Sequence, residues 1–267
     1  MNKKYILLEN DTINHKNYIL HRIQAIKDFG DVKAGDFGGY IEKESNLSHG
    51  GNCWVGDNAC VYGDARVFGD ACVYDNACVF NNAWVYDNAE VYGDAEVSDN
   101  VRVSSDAHVF NNASVYENAR VSGNAQVYGN AKVYDEAHVF AGTCVHGNAQ
   151  IFGNARVFGN THVSDNAHVY DYTLVYNDAC ISGNAQVCGD IKVDNAENIM
   201  VIGPIGSKNE YMTFIKEDDG IVFVSCGKFF GTIDKFRKNI LKTYTKGSIY
   251  RKQYLNIIEA SKYFFDA

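Results

Sequence analysis

Valine or isoleucine stands at residue 55 and at every sixth residue after it through Val193, with nothing inserted between. That period excludes most folds. A six-residue repeat cannot hold an apolar stripe on one face of a 3.6-residue helix, whereas it fits a short extended segment followed by a bend. Written from the valine, the unit is V-x-x-x-A-x. Its fifth position is alanine in 18 of the 22 units between Val55 and Gln186, the exceptions being Val101, Thr143, Thr161 and Thr173. Alanine and the next valine are two residues apart, so on an extended backbone both point to one side and the residues flanking valine point to the other. Small side chains therefore line an interior. Pairs such as Gly63-Asp64, Asp75-Asn76 and Asn81-Asn82 separate the extended segments. A single proline against 24 glycines leaves the bends to Gly, Asn and Asp, which tolerate left-handed backbone. Stacking successive turns of such a chain pairs each strand with those above and below it, as in solenoids.

The V-x-x-x-A-x unit resembles the hexapeptide repeat of left-handed β-helix proteins, and the resemblance implies a triangular coil of three strands, about 18 residues per turn. The stretches "DFGDVKAGDFGGYIEKESNLS" (28 to 48) and "GNCWV" (51 to 55) narrow it to YdcK-like β-solenoid proteins of bacteria and their phages. The expected fold is mainly β, a single-chain left-handed parallel β-helix with an N-terminal β cap over 1–54, the solenoid over 55–202 and a small C-terminal α+β module over 203–267. Ile41 and Leu47 reach the six-residue phase early, a slip of two residues precedes Val55, and Ile199 and Ile205 continue the phase at the far end. Beyond it, "EYMTFIKEDDGIVFVSCG" alternates about Asp219-Gly220 and predicts a hairpin; Thr232 is placed to cap a helix to about Tyr244, and a second helix is expected from about Tyr250 to Phe265.

The residue after valine is aromatic in 15 of the same 22 units, and an interior filled by Val and Ala has no room for it. These rings are expected outside, one above another at the strand spacing of about 4.8 Å. Tyr74, Tyr92, Phe110 and Tyr128 make one ladder; Tyr116, Tyr134, Phe152 and Tyr170 a second; Phe140, Phe158 and Tyr176 a third. Two roles follow from such ladders: stiffening the sheet by cross-strand contact, or offering an interface.

Charge sorts the surface further. The three segments carry 0, −13 and +4, which sum to the net charge of −9. Of the solenoid's 19 acids 15 fall on the two bend positions, so turn chemistry accounts for them first, with partner repulsion or nucleic-acid mimicry as the sharper alternative. Of its six basic residues, Arg66, Arg102, Arg120, Arg156 and Lys192 share one face in the 18-residue register and Lys132 lies elsewhere. Trp84, His138, Phe68, Tyr86, Phe140 and Phe158 belong to the same face. It is expected to dock an anionic partner or a second copy of the chain, as dimer or trimer, against the alternative of local cation–π contacts. Lys235, Arg237, Lys238, Lys242, Lys246, Arg251 and Lys252 make the C-terminal module basic, which points either to a solvated face or to nucleic acid or an acidic partner.

Catalytic and metal chemistry find less support. Hexapeptide-repeat proteins include many acyltransferases, whose catalytic His sits beside an inserted loop. Here His108, His138, His162 and His168 occupy an ordinary outward repeat slot, and the array carries no inserted loop to wall an acyl-donor pocket. Cys144, His162 and Cys180 fall in one column with His146 adjacent, but a flat ladder is poorly shaped for tetrahedral metal ligation. The eight cysteines match no disulfide or zinc spacing and read as packed thiols, although Cys60 and Cys78 stack within disulfide reach. No cofactor is implied, and neither a signal segment nor an apolar span is visible, so a cytoplasmic location is expected, the host cytosol for a phage protein. The sequence thus favours a non-enzymatic scaffold or binding protein, of which an inhibitor of a host defence complex is one form, with an acyltransferase-like enzyme as the alternative.

Overall fold

A computed structural model describes residues 3–265. Strands β1 (Tyr5–His15) and β2 (Tyr18–Ala25) form an antiparallel hairpin, and β3 (Phe37–Ile41) joins β2 antiparallel and the solenoid parallel. Twenty-four two-residue strands follow, β4 (Trp54–Val55) to β27 (Lys192–Val193). They run parallel in three sheets, each strand pairing with the one three strands on, so that Val91 lies beside Val73 and Val109. The eighteen-residue coil and the three-sided parallel β-solenoid are both as expected.

Its core is what the repeat dictates. The valines and alanines of the array are buried essentially completely and form one continuous cluster. The three threonines in alanine positions each satisfy their hydroxyl locally: Thr143, Thr161 and Thr173 donate to the carbonyls of Phe140, Phe158 and Tyr170 at 2.8, 2.7 and 2.7 Å. A buried hydroxyl is tolerated here because it finds an acceptor three residues back.

The bends explain the remaining composition. The second residue after each valine has positive φ at every coil corner from Asp57 to Gly189, which is why Gly, Asn and Asp fill that position at all but Ser105, Glu117 and Ala141. Eight acids there also reach forward one coil. Asp75, for example, accepts from the Gly93 N–H at 3.0 Å, and Glu117 accepts from the Asp135 N–H at 2.8 Å. The next position carries amide ladders, such as Asn100 donating to Asn118 at 3.0 Å. These acids therefore have a structural role.

Both ends of the prism are closed. At the start Tyr5 enters the core and its hydroxyl donates to the Leu47 carbonyl at 2.8 Å. Gly38 and Gly39 let β3 lie directly on the next coil, where an added Cβ would meet the carbonyls of Val55 and Ala59 at 2.5 Å. Tyr62 departs from the outward expectation: the hairpin covers it, with the rings of His15 and Tyr18 at 5.2 and 4.9 Å, leaving it 1% exposed. At the far end β28 (Ile199–Ile205), β29 (Glu210–Lys216), β30 (Val222–Cys226) and β31 (Phe229–Thr232) form a four-stranded antiparallel sheet. Ile199 and Ile205, in phase with the repeat, belong to this sheet. Ile215 packs into the solenoid core, and the Gln186 N–H donates to the Thr213 hydroxyl at 2.8 Å. Helices α1 (Ile233–Thr243) and α2 (Ile249–Phe265) cover the other side of the sheet through Phe236, Ile240, Tyr254 and Ile258. Thr232 precedes α1 as expected, but its side chain makes no capping hydrogen bond.

Candidate functional site: the arginine face and the cap cleft

One sheet places, in order, Arg66, Trp84, Arg102, Arg120, His138, Arg156, Leu174 and Lys192 side by side on consecutive coils. The register brings together every basic residue assigned to this face and puts Lys132 on another sheet. The four arginines are exposed, and among the described residues none of their guanidinium groups makes an ion pair or hydrogen bond to protein. One cation–π contact is formed, Arg102 over the Trp84 ring at 5.2 Å. Burial, with Arg120 and Arg156 on either side, holds His138 below its ordinary pKa. The strip thus carries four guanidinium groups without an ion-pair or hydrogen-bond partner in the described chain, between the acidic corners of a chain of net charge −9.

The aromatic ladders form at the corners. Tyr74, Tyr92, Phe110 and Tyr128 stack at 4.9, 4.8 and 4.8 Å with near-parallel planes, and His146 continues them at 5.0 Å. Tyr116, Tyr134, Phe152 and Tyr170 repeat the pattern at 4.8 to 4.9 Å. Phe68 and Tyr86, then Phe140 and Phe158, stack at 5.0 and 4.8 Å beside the arginine face, with Tyr176 5.6 Å beyond Phe158. The rings are half-buried, with their faces turned to the rings of the neighbouring coils and their edges outward.

Other sequence candidates are not gathered into sites. Cys144, His162 and Cys180 do share a column, but no three His, Cys, Asp or Glu side chains converge as a metal set among the described residues. Cys60 and Cys78 are directly opposed free thiols; the Cys78 thiol and burial push Cys60 above its ordinary range. In the C-terminal module Arg237 pairs with Glu259 at 3.5 Å and Arg251 donates to the Tyr244 carbonyl at 3.1 Å, while Lys235, Lys238, Lys242 and Lys252 are exposed.

The sequence reading missed a cleft. Leu47 bridges to Val67, twenty residues on rather than eighteen, and the two extra residues are taken up by the loop at 48–52. That loop, the strand-flanking Lys3 and Lys27, and the first residues of the arginine face enclose a cleft of about 960 Å³. The loop lies in the N-terminal cap, before the uninterrupted array that begins at Val55. In its wall the His49 ring packs at a tilt of 33° against Tyr5, centroids 4.4 Å apart, and its Nε2 lies 2.7 Å from Glu44 Oε1, while its Nδ1 accepts from the Lys4 N–H at 3.4 Å. The two-residue slip before Val55 was the available signal.

A parallel three-faced coil closed by a β cap at one end and a small α+β module at the other defines a β-solenoid fold. The match to known proteins agrees: a family profile described as the YdcK β-solenoid repeat matches residues 149–165. A relative from Escherichia coli (strain K12), named "Uncharacterized acetyltransferase YdcK", is 52% identical over 42 residues, which span 16% of this chain and 13% of the relative. Over these stretches the chain is similar to YdcK β-solenoid proteins, and it spans only a small part of the relative's length. Among the described residues no helix is long and apolar enough to cross a membrane.

Proposed function

We propose that this chain is a binding scaffold whose arginine face holds an anionic protein partner. The observation that supports the reading most directly is the row of four exposed guanidinium groups without an internal acceptor, on one wall of a rigid prism. Arginine keeps its charge and presents a planar fork to carboxylates, so a fixed row of them selects a partner with acidic groups at matching intervals. Reversing Arg120 and Arg156 to Glu tests it. Capture from a bacterial lysate by the parent chain should be lost in the reversed variant and weaken with salt, and equal capture by both would end the proposal. A phage-borne inhibitor of a host defence complex is a narrower form of this reading, and would show as capture of such a complex. A second copy of the chain is a further candidate partner, separated by sedimentation of parent and variant.

Acyl transfer is the second reading. The relative's name and the His49–Glu44 pair in the cleft wall favour it. Both ring nitrogens of His49 are engaged, which leaves no free lone pair to act as general base without rearrangement. Saturable binding of acyl coenzyme A, lost on His49→Ala, would favour the enzyme.

A further inference from the structure

The cap cleft differs chemically from the face it adjoins. Three cations, Lys3, Lys27 and Arg66, line it against one carboxylate, Glu44. That carboxylate is already engaged: its Oε1 takes Lys3 Nζ at 2.6 Å and His49 Nε2 at 2.7 Å. The hydroxyls of Ser45 and Ser48 add donors, and the Ser48 oxygen already accepts the Gly50 N–H at 3.0 Å. The polar lining is thus rich in donors and poor in free acceptors, the inverse of the chain's overall acidity. Such a lining suits a ligand made largely of acceptors, a phosphate above all.

Beside Arg66, which pairs directly with Trp84, the lining is aromatic. Phe68 stacks on Tyr86 at 5.0 Å and stands edge-on to Trp84 at 6.0 Å, while Arg102 covers Trp84 from the next coil at 5.2 Å. Trp84 is thereby fixed in place yet 36% exposed. A volume of about 960 Å³ is at the upper end for small-molecule sites, which pair apolar walls with a few placed polar groups.

From these observations we infer that the cleft binds a small ligand joining a planar ring to a phosphate group, of nucleoside monophosphate type, the ring against Trp84 and Phe68 and the phosphate among Lys27, Arg66 and Lys3. This goes beyond the arginine-face reading; the cleft shares Arg66 and Trp84 with that face but not Arg120, His138 and Arg156, so the two readings fail separately.

Calorimetric titration of the full chain with AMP and UMP tests the inference, with adenosine and inorganic phosphate as the half-ligands. Saturable nucleotide binding is expected, with each half-ligand at least about tenfold weaker. Lys27→Gln and Arg66→Gln should each weaken nucleotide binding about tenfold, with the far-UV spectrum and thermal midpoint verifying the fold. Trp84→Phe should remove a ligand-induced change in tryptophan emission, since the other tryptophan, Trp54, is packed against Phe29 and Tyr5. The double reversal of Arg120 and Arg156 should leave the titration unchanged. No saturable binding of either nucleotide at about 1 mM would overturn the inference, as would phosphate alone binding as tightly as the nucleotide. Equal affinity in the Lys27 and Arg66 variants would also overturn it. Nucleotide binding lost only with the Arg120 and Arg156 reversal would place the ligand on the long face instead.

Discussion

The carboxylate of Asp135 accepts the backbone N–H of Gly153, one coil further on, at 2.9 Å. Asp135 itself sits at φ 56°, so one residue both makes the left-handed corner and ties it to the next. Asn preserves both functions, through its amide oxygen and its tolerance of left-handed backbone, whereas Ala preserves neither. Asp135→Ala should cost about 2 kcal/mol in urea unfolding and Asp135→Asn under about 1 kcal/mol. Equal losses would mean that the charge, not the hydrogen bond, is what the corner needs.

Ala141 occupies the same corner position at φ 60° with no side-chain acceptor to offset the strain. A left-handed residue bearing a Cβ costs about 1–2 kcal/mol relative to Gly. Ala141→Gly should therefore raise the unfolding free energy by about 0.5–1 kcal/mol, the extra unfolded-state freedom of Gly subtracting from the gain. Denaturant midpoints of the two proteins, at equal slope, give the answer.

The array was legible because volume and backbone sign are properties of single residues repeated without error. Val and Ala fix the inside, Gly, Asn and Asp fix the corner, and the interval between them fixes the register of Arg102 beside Arg120. The cleft was not legible in the same way. It arises where the period fails, between Leu47 and Val55, and its walls come from Lys3, Lys27, His49 and Trp84, which share no repeat position. The burial of Tyr62 was hidden for a related reason: the chain that covers it lies more than forty residues earlier. The strands Ile199–Ile205 and Phe229–Thr232 escaped because the first still carries the repeat's phase and the second is four residues long.

Phe152 is stacked between Tyr134 at 4.9 Å and Tyr170 at 4.8 Å. If the ladders stiffen the solenoid, truncating a central ring removes two stacking contacts and half-buried apolar area. Phe152→Ala should cost about 2 kcal/mol, and Phe152→Tyr under about 0.5 kcal/mol. Thermal or urea unfolding compares the three proteins. An Ala variant as stable as the parent would show that the ladder contributes little to the fold and free its rings for an interface role.

Lys4 is wholly buried, and its ammonium donates to the Cys53 carbonyl at 2.7 Å and the Gly51 carbonyl at 3.2 Å, with the Phe29 ring 4.7 Å away. It therefore ties the loop that walls the cleft to β1. Lys4→Met keeps the bulk and leaves two carbonyls without their donor, at a cost of about 1–3 kcal/mol. Hydrogen exchange should quicken at residues 48–53 while the array beyond Val73 stays protected. Unchanged exchange there would show that the loop is held by other contacts.

His138 lies between Arg120 and Arg156, and burial first, then those two guanidinium groups, lowers its pKa from 6.5. Its protonation therefore favours the unfolded chain: as pH falls through 6.5 the unfolded state takes up the proton first and stability declines, whereas above 6.5 the penalty is absent. An anion seated on Arg120 and Arg156 reverses the local field and raises the pKa of His138 in the complex. Binding must then take up a proton, so affinity should climb as pH falls from about 7.5 to 6, by up to about tenfold for each unit the pKa rises. Calorimetry in two buffers of different ionisation enthalpy reads the uptake directly. His138→Gln should flatten the profile while preserving affinity at pH 8, because His108, His162 and His168 lie on the other two sheets. A pH profile identical in the Gln variant would place the bound anion away from the Arg120–Arg156 pair.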